Sequence, residues 1–553
     1  MSALFQNHRK MLENALAAIR SRDFFAAFPE VPSGKIYGES AKADGEAAFQ
    51  ALLDQPFGLD QTQAGTPVGA EVSPYGFALG IGYPAAEPAV LLAAAEAAAA
   101  SWAKAPVEAR VGVCLEALAR LNRMSFLMAN AVQHTTGQSF VMAFQAGGPH
   151  AQDRGLEAVA YAYEAMTAVP AAVRWEKPQG RNPALVLDKT FTVVPRGVGL
   201  VIGCATFPTW NSYGAIFANL ATGNGSIVKP HPMAILPLAL TVRVLREVLA
   251  EEGFDPNTVL LAVDTPERQV TMEYLTSPQI AMVDFTGSAA FGAAVRAHAD
   301  GRPVFTEESG VNPVVILGTD SFKGMCGNLA MSLSLYSGQM CTAPQALFVP
   351  EGGIETDEGQ KSPAEVGAGI ANAIDGLLAD PARAMAILGT IQNEATVTRV
   401  AQMQAVGRLV RASAPVEGQE PARTATPALV EVEAADGAWR EECFGPVTFI
   451  VRTADAAEAI SLAARTVREK GAITAGVYAM DDAQIGRAAE AFARVGAPLS
   501  VNFTGGILVN QSAAFSDFHV SGINPAGTAT LTDLAFVADR FSVAMVRRQA
   551  AAA

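Results

Sequence analysis

A cysteine and an upstream glutamate are the residues of this chain best suited, by type and spacing, to covalent chemistry. Cys341 ends the small-residue run Gly338-Gln-Met-Cys341, and Glu307 lies within Phe305-Thr-Glu-Glu-Ser-Gly310. A thiolate can attack an electrophilic carbon, and a distant carboxylate can later activate the water that frees the product. Either motif alone is more often a tight turn or a solvated surface. Together they suggest covalent catalysis followed by hydrolysis.

Short apolar strands alternate with helices around both motifs and would position them. Continuously apolar runs are typical of parallel strands that are covered on both faces. The pattern predicts a doubly wound α/β domain before Glu307 and a second alternating region from about 308 to 499. The strand candidates are 199–203, 226–229, 258–263 and 281–285 in the first region, and 313–317, 346–349 and 447–451 in the second.

A glycine-containing run follows one of these strands and opens a predicted helix. In Gly287-Ser-Ala-Ala-Phe-Gly292, glycine would let a pyrophosphate approach the backbone, and the helix N-terminus would supply N–H groups and a positive dipole. Such a run alone more often marks a tight strand-to-helix turn. Its position makes Gly287, Ser288 and Gly292 candidate cofactor-binding residues.

Composition restricts the classes of partner and compartment. The 553 residues are 50% apolar and 17% charged, as in a packed globular enzyme, and a formal net charge of −15 disfavours nucleic acid as a partner. The five scattered cysteines contain no Cys-x-x-Cys pair, which argues against a disulfide framework or a metal site and favours a reducing cytoplasm. The longest apolar stretch, 88–100, is too short to span a membrane. The N-terminus shows no secretory signal.

An ordered set of motifs resembles the aldehyde dehydrogenase superfamily from about Val90 to about Arg548. Besides Cys341 and Glu307, the matching runs are Val194-Pro-Arg-Gly-Val198, Ala221-Thr-Gly-Asn-Gly-Ser-Ile-Val-Lys-Pro230, Phe285-Thr-Gly-Ser-Ala-Ala-Phe-Gly292 and Glu442-Cys-Phe-Gly-Pro-Val447. The resemblance implies an α/β aldehyde dehydrogenase fold, with a Rossmann-like cofactor domain, an α/β catalytic domain and a small β oligomerisation flap.

The domain boundaries follow from this resemblance and from the strand pattern. Residues 1–60 form an N-terminal extension with helical character from 11 to 27. The cofactor-binding domain would cover 61–307, with a flap strand near 185–194, and the catalytic domain would cover 308–499. Residues 500–553 would return to the flap through a strand at 541–546. The flap implies a homodimer or homotetramer.

The resemblance also implies roles for the two central residues. Cys341 would attack an aldehyde to form a thiohemiacetal, which loses hydride to a nicotinamide ring and becomes a thioester. Water activated by Glu307 would then release the acid. Counting back from Asn312 selects Glu307 rather than Glu308, and adjacent residues on an extended segment face opposite ways. Relatives that transfer the acyl group to coenzyme A usually lack this glutamate, so its presence favours hydrolysis.

The chain departs from the family at the position that stabilises the oxyanion. The family uses an asparagine amide, but counting within Cys204-Ala-Thr-Phe-Pro208 places Thr206 there. A hydroxyl can donate one hydrogen bond. Asn211 could substitute, although a helix-start role is favoured for it. We therefore expect Thr206→Val to lower turnover more sharply than Asn211→Ala.

Further cofactor contacts follow from the family pattern. Lys229 would bind the adenosine ribose, and Glu442 and Phe444 would contact the nicotinamide side. The acidic residue common in NAD-preferring relatives is replaced by proline in Lys229-Pro-His-Pro232. His231 could add positive charge when protonated. These features favour NADP, with NAD as the alternative.

The substrate expectation rests on a second departure. The chain has Phe515-Ser-Asp-Phe-His-Val-Ser-Gly-Ile-Asn-Pro525 where most relatives carry a Pro-Phe-Gly-Gly-x-Lys-like stretch. It resembles the phenylacetate-degradation (PaaN) and benzoyl-CoA-pathway semialdehyde dehydrogenase branch, which implies a small aldehyde substrate, including a CoA-linked semialdehyde. Two alternatives stay open: a catalytically silent binding protein, and a cofactor-independent thiol hydrolase using His519.

Overall fold

The N-terminal extension is helical and packed against the rest of the chain in the computed structural model, which describes residues 2–63, 66–308, 310–528, 531 and 533–550. Its first helix buries Leu12, Ala15 and Ile19. We predicted helical character from 11 to 27, but this helix starts earlier and ends where Arg22 adopts a left-handed conformation (φ 60°). The elements are α1 (Ala3–Ser21), α2 (Gly34–Tyr37), α3 (Ala41–Gln50) and the hairpin strands β1 (Val72–Ser73) and β2 (Phe77–Ala78).

Five helices follow, and the first two are separated by a short break that includes Pro106. Proline fixes its own backbone and favours the start of a helix, and the next helix begins at Val107. The last of the five carries a fully buried ion pair between Arg154 and Glu157 (2.8 Å). The helices are α4 (Pro88–Trp102), α5 (Val107–Arg123), α6 (Ser125–Thr136), α7 (Phe140–Gly147) and α8 (Pro149–Thr167).

A long antiparallel hairpin projects next, formed by β3 (Ala172–Gln179) and β4 (Asn182–Pro195). Most of its side chains are exposed. It includes the strand that we expected near 185–194.

The first sheet has five parallel strands in the order β7-β6-β5-β8-β9, which confirms the Rossmann-like architecture. Its central strands are buried on both faces, as their continuous apolar runs predicted. The register pairs Thr286 with Glu307. The elements are β5 (Val198–Ile202), α9 (Pro208–Ala221), β6 (Gly225–Lys229), α10 (Leu236–Glu251), β7 (Val259–Leu261), α11 (Thr271–Leu275), β8 (Ile280–Gly287), α12 (Ala289–Ala297) and β9 (Val304–Glu308).

The second sheet has seven strands in the order β14-β15-β16-β12-β10-β17-β18, all parallel except the edge strand β14. A separate pair joins β11 to β13. The strands are β10 (Asn312–Ile316), β11 (Gly318–Thr319), β12 (Pro344–Pro350), β13 (Glu355–Thr356), β14 (Arg408–Arg411), β15 (Ala428–Glu433), β16 (Val447–Thr453), β17 (Ala475–Tyr478) and β18 (Leu499–Val501). The helices are α13 (Phe322–Ser334), α14 (Pro363–Leu377), α15 (Pro381–Leu388), α16 (Glu394–Met403), α17 (Ala456–Lys470) and α18 (Asp482–Val495).

The C-terminal segment returns to the first sheet and then to the hairpin. Gly527 bridges to Glu307, so this segment lies beside β9. After α19 (Ala535–Ala538), strand β19 (Phe541–Gln549) pairs with β4 and completes the three-stranded flap. Among the helices of the described residues, none combines the length and apolar character needed to cross a bilayer.

Candidate active site

Cys341 lies in a strained loop between α13 and β12. Tyr336 and Ser337 both have φ of 51°, and Gly338 has φ of 61°. A Cβ on Gly338 would lie 2.7 Å from the carbonyl oxygen of Gly445, so the close approach requires glycine. Non-glycine residues in this conformation cost free energy and tend to occur at functional sites.

Hydrogen bonds hold the Cys341 loop in this shape. The side chain of Gln339 donates to the carbonyl of Thr390 and accepts from the backbone N–H of Gln392, both at 2.9 Å. The side chain of Asn312 donates to the carbonyl of Cys341 (2.8 Å). The glutamine of the Gly-Gln-x-Cys run therefore positions the nucleophile.

Glu307 faces Cys341, and Glu308 points away. The Cys341 Sγ atom lies 3.5 Å from Oε1 of Glu307. Glu308 is buried on the opposite side of β9 and pairs with Arg296. This alternation agrees with the prediction that only one of the two acids faces the nucleophile. A Cβ on Gly292 would collide with the Glu308 carboxylate, so this glycine makes room for Glu308. The sequence had assigned it to cofactor binding.

Asn211 contacts the predicted base directly, although the sequence favoured a helix-start role for it. It lies in the first turn of α9, but its amide does not cap the helix. Instead Nδ2 donates to Oε1 of Glu307 (2.8 Å), and Oδ1 accepts from the thiol of Cys204 (3.5 Å). The Thr206 side chain contacts Cys204, and its carbonyl accepts from Gln138 (2.8 Å). Asn211 therefore donates a hydrogen bond directly to Glu307, whereas Thr206 contacts the neighbouring Cys204.

His519 is the third group on the same carboxylate oxygen. Its Nε2 lies 2.9 Å from Oε1 of Glu307, and the residue is buried. Sequence reasoning placed it only in the thiol-hydrolase alternative. The sequence offered one indication of this role, because His519 lies inside the segment that departs from the family pattern.

The pKa values of Glu307 and Cys341 are shifted in opposite directions. Burial raises the pKa of Glu307, but His519 and the hydrogen bonds from Cys341 and Asn211 outweigh it and hold that pKa below its usual value. Burial and the neighbouring Glu307 charge raise the pKa of the Cys341 thiol well above its usual range. Burial also raises the pKa of Cys204 to about 11. In this arrangement the base is a carboxylate and the nucleophile holds its proton.

The donor atoms of Glu307, Cys341 and His519 all lie within 4.8 Å of one another. Such spacing could also suit a metal ion, but hydrogen bonds among the three groups already account for it. Glu307 and Asn211 additionally line a small cavity between the first sheet and α9.

The N-terminus of α12 is open, as a phosphate-binding site requires. Ser288 caps this nine-residue helix by accepting from the N–H of Phe291 (3.3 Å), and the exposed residues 288–290 form its first turn. Gly287 ends the preceding strand. The free N–H groups there suit an anionic pyrophosphate.

Lys229 ends β6, as predicted, and is already paired. Its Nζ donates to Asp264 (2.6 Å) and to the carbonyl of Pro230 (3.0 Å), and both side chains are buried. Burial and the charge of Lys229 lower the pKa of His231 to about 4, so the imidazole is neutral at pH 7. The positive charge that the sequence allowed for His231 is therefore absent at neutral pH. Sequence reasoning missed Asp264, a polar residue soon after a buried strand.

Glu442 and Phe444 lie in the turn before β16, next to α16. The charge of Glu442 adds a small contribution to the raised pKa of the Cys341 thiol. The carbonyl of Phe444 accepts from Arg399 (2.8 Å), which fixes the turn.

The matched family model is described as the aldehyde dehydrogenase family and covers residues 84–532. The chain belongs to the aldehyde dehydrogenase family. This member is 51% identical to a crystal structure of an NAD-dependent aldehyde dehydrogenase from Burkholderia multivorans, over 100% of both chains, with a TM-score of 0.98.

Two further relatives of this chain are more distant. An N-succinylglutamate 5-semialdehyde dehydrogenase of Paraburkholderia xenovorans is 26% identical over 397 residues, which is 70% of this chain and 76% of the relative. A 1-pyrroline-5-carboxylate dehydrogenase from Thermus with bound NAD shares the fold, with a TM-score of 0.74 at 20% identity over 95% of this chain and 99% of that one.

Proposed function

We propose that this protein oxidises an aldehyde to the free acid through a covalent adduct on Cys341. The 3.5 Å contact between Sγ of Cys341 and Oε1 of Glu307 is the observation that carries the proposal. A nucleophile and a base at this separation can act in turn on the same carbon.

The residues of the chain account for each proton. The resting thiol of Cys341 is protonated, and Glu307 is the acceptor next to it, so sulfur can lose its proton as it adds to the carbonyl carbon. After hydride departure the adduct is a thioester. Glu307 must return its first proton to solvent before it accepts another from the attacking water. Cleavage of the C–S bond then regenerates the thiol and releases the acid.

The residues present fit a nicotinamide dinucleotide. The open N-terminus of α12, with Gly287 and Ser288, would hold the pyrophosphate. Lys229 would bind the adenosine ribose, since its ammonium group has three donors and the structure uses two. Glu442 and Phe444 would lie on the nicotinamide side. When bound, the dinucleotide supplies the hydride acceptor.

The charges around Lys229 favour NAD, whereas the sequence favoured NADP. Asp264 provides a carboxylate beside Lys229 even though proline occupies position 232. A carboxylate can accept hydrogen bonds from ribose hydroxyls and repels a 2′-phosphate. The neutral His231 adds no compensating charge at pH 7. We therefore propose NAD as the better cofactor and NADP as the alternative.

The proposed substrate class is a semialdehyde. The resemblance to the aromatic-acid branch suggests a CoA-linked semialdehyde from phenylacetate or benzoate degradation. The relative from Paraburkholderia is named for N-succinylglutamate 5-semialdehyde, which is a carboxylated semialdehyde without coenzyme A. Both substrates are aldehydes on a chain with a second functional group.

We also propose a cytoplasmic homodimer or homotetramer assembled through the flap. The outer strands β3 and β19 are exposed and carry apolar side chains such as Val173, Val543, Met545 and Val546. All five cysteines are free thiols, which fits a reducing compartment. Light scattering on the purified chain distinguishes monomer, dimer and tetramer.

One assay tests the activity and separates it from the two alternatives. Absorbance at the reduced-nicotinamide band is followed with acyl-CoA semialdehydes, N-succinylglutamate 5-semialdehyde and simple aldehydes, each with NAD and NADP. Aldehyde-dependent reduction that is lost in Cys341→Ser supports the proposal. Product release without any dinucleotide, in a protein that reduces neither NAD nor NADP with any aldehyde, would favour the thiol hydrolase. Absence of turnover with every substrate would favour the silent protein.

A further inference from the structure

The oxygen Oε1 of Glu307 accepts hydrogen bonds from three directions. Asn211 reaches it from α9 (2.8 Å), Cys341 from its strained loop (3.5 Å) and His519 from the C-terminal segment (2.9 Å). All three contacts use the same oxygen. Among the described residues, none donates a hydrogen bond to the second oxygen, Oε2, which can therefore accept from a water molecule.

We propose that His519 is the positioning residue for the base, fixing Glu307 so that Oε2 activates water on the Cys341 thioester. The proposal rests on the proposed function and adds a residue to it. Nε2 of His519 faces an oxygen that can only accept, so Nε2 carries the proton of this hydrogen bond. The contact selects one rotamer of Glu307 and stabilises its ionised form.

A buried chain of contacts holds His519 in place. Its ring packs edge-on against Trp210 (4.6 Å between centroids), and the guanidinium of Arg154 lies 5.0 Å from the centroid of the Trp210 ring. Arg154 donates to the hydroxyl of Ser512 (2.8 Å), and its partner Glu157 accepts from the N–H of Phe515 (2.6 Å). The ion pair on α8 therefore anchors both the aromatic neighbour of His519 and the segment that carries it.

The backbone on both sides of His519 is strained. Phe515 has φ of 67° and Val520 has φ of 68°, and both side chains are buried. The left-handed region is unfavourable for non-glycine residues and most unfavourable for a β-branched one such as Val520. Such strain persists where surrounding contacts fix the conformation, often at a functional site.

The test compares two substitutions of similar size. His519→Phe keeps a ring against Trp210 but removes the donor, whereas His519→Gln keeps an N–H donor at a similar reach. Cys341 is acylated directly with p-nitrophenyl acetate in the absence of any dinucleotide. Sulfur displaces p-nitrophenol to form the thioester, and water then releases acetate and restores the thiol. Intact mass spectrometry follows loss of the acetyl group.

We expect the acetyl group to be lost about tenfold to 100-fold more slowly from His519→Phe than from the wild type, because a misaligned base costs this much. His519→Gln should recover most of the rate. The titratable groups that face Glu307 are His519, Cys341 and Cys204. Because His519 is the largest of the influences that lower the pKa of Glu307, its removal raises that pKa. The acid limb of the deacylation rate therefore shifts to higher pH in His519→Phe.

Three results are decisive. Equal deacylation by wild type and His519→Phe overturns the positioning role. Equal slowing in the Phe and Gln variants assigns the effect to packing and also overturns it. If the wild type hydrolyses the thioester but oxidises no aldehyde, the proposed dehydrogenase function fails while the role of His519 stands.

Discussion

The side-chain amide of Asn211 lies 2.8 Å from Oε1 of Glu307 and joins the first turn of α9 to the end of β9. The same side chain accepts from Cys204, which follows β5. One residue thus couples the loop after β5, where the family places its oxyanion donor, to the base. No described residue accepts from the second N–H of the Asn211 amide, so this group can donate to a developing oxyanion.

This contact reverses the expected ranking of two variants. Asn211→Ala removes a hydrogen bond to Glu307 and a candidate oxyanion donor, so we expect turnover to fall by about 10²–10³. Thr206→Val removes a contact to Cys204 only and should lower turnover by less than about tenfold. Steady-state kcat with a saturating aldehyde and dinucleotide measures both. If Thr206→Val is the more damaging substitution, the oxyanion site is where the sequence placed it.

The regular parts of the fold could be predicted from sequence because their signals are local. Parallel strands such as β5 and β6 are continuously apolar, and Pro106 marks a helix boundary within a few residues. Asn211, Asp264 and His519 could not be assigned in this way. Each acquires its role through a contact with a residue far along the chain, and no local pattern encodes that contact. The local pattern was equally silent about the neighbour of Gly292, the Glu308 carboxylate, and the cofactor role of this glycine stays a prediction.

A base variant should stop the reaction at the thioester. Glu307→Gln keeps the size of the side chain but accepts no proton, so we expect kcat to fall by about 10²–10⁴. Loss of the Glu307 charge also removes a cause of the raised Cys341 pKa, so the thiol can still lose its proton to solvent and form the thioester. Dinucleotide reduction should then show a burst, and intact mass should show an acyl group on Cys341.

Glu308→Gln is the matched control, one residue along the same strand. It loses the ion pair with Arg296, so thermal stability should fall without accumulation of the thioester. Accumulation in both variants would mean that β9 as a whole, and not the Glu307 carboxylate, controls hydrolysis.

Cofactor preference should respond to the charge of Asp264. Asp264→Asn removes the carboxylate that pairs with Lys229 and leaves a cation facing the ribose. We expect the ratio of kcat/KM for NADP to that for NAD to rise at least about tenfold, because repulsion of a 2′-phosphate is relieved. Lys229→Met is the control and should weaken both cofactors. An unchanged ratio in Asp264→Asn would place the adenosine ribose away from this pair.

Stability should depend on pH through Asp153, which ties α8 to the N-terminal extension. Its Oδ1 accepts from the backbone N–H of Ala27 (3.0 Å). Burial, reinforced by the nearby Glu157, raises the pKa of Asp153 from 3.8 to about 8, against hydrogen bonds and Arg154 that lower it. The folded state therefore holds this proton over a range in which the unfolded state has lost it. The free energy of unfolding must fall as pH rises from 3.8 to about 8, through this group.

Asp153→Asn removes this titration and keeps an oxygen acceptor for Ala27. The free energy of unfolding of the variant, minus that of the wild type, should rise with pH by at most about 1.4 kcal/mol per pH unit. Melting temperatures at several values between pH 4 and 8 measure the difference, with the exposed Asp23→Asn as the control. Parallel profiles for wild type and Asp153→Asn would show that Asp153 ionises normally in the folded state. In that case Asp153 would be a buried carboxylate beside Glu157. A nearby cation, and not protonation, would then have to stabilise the contact between α8 and the N-terminal extension.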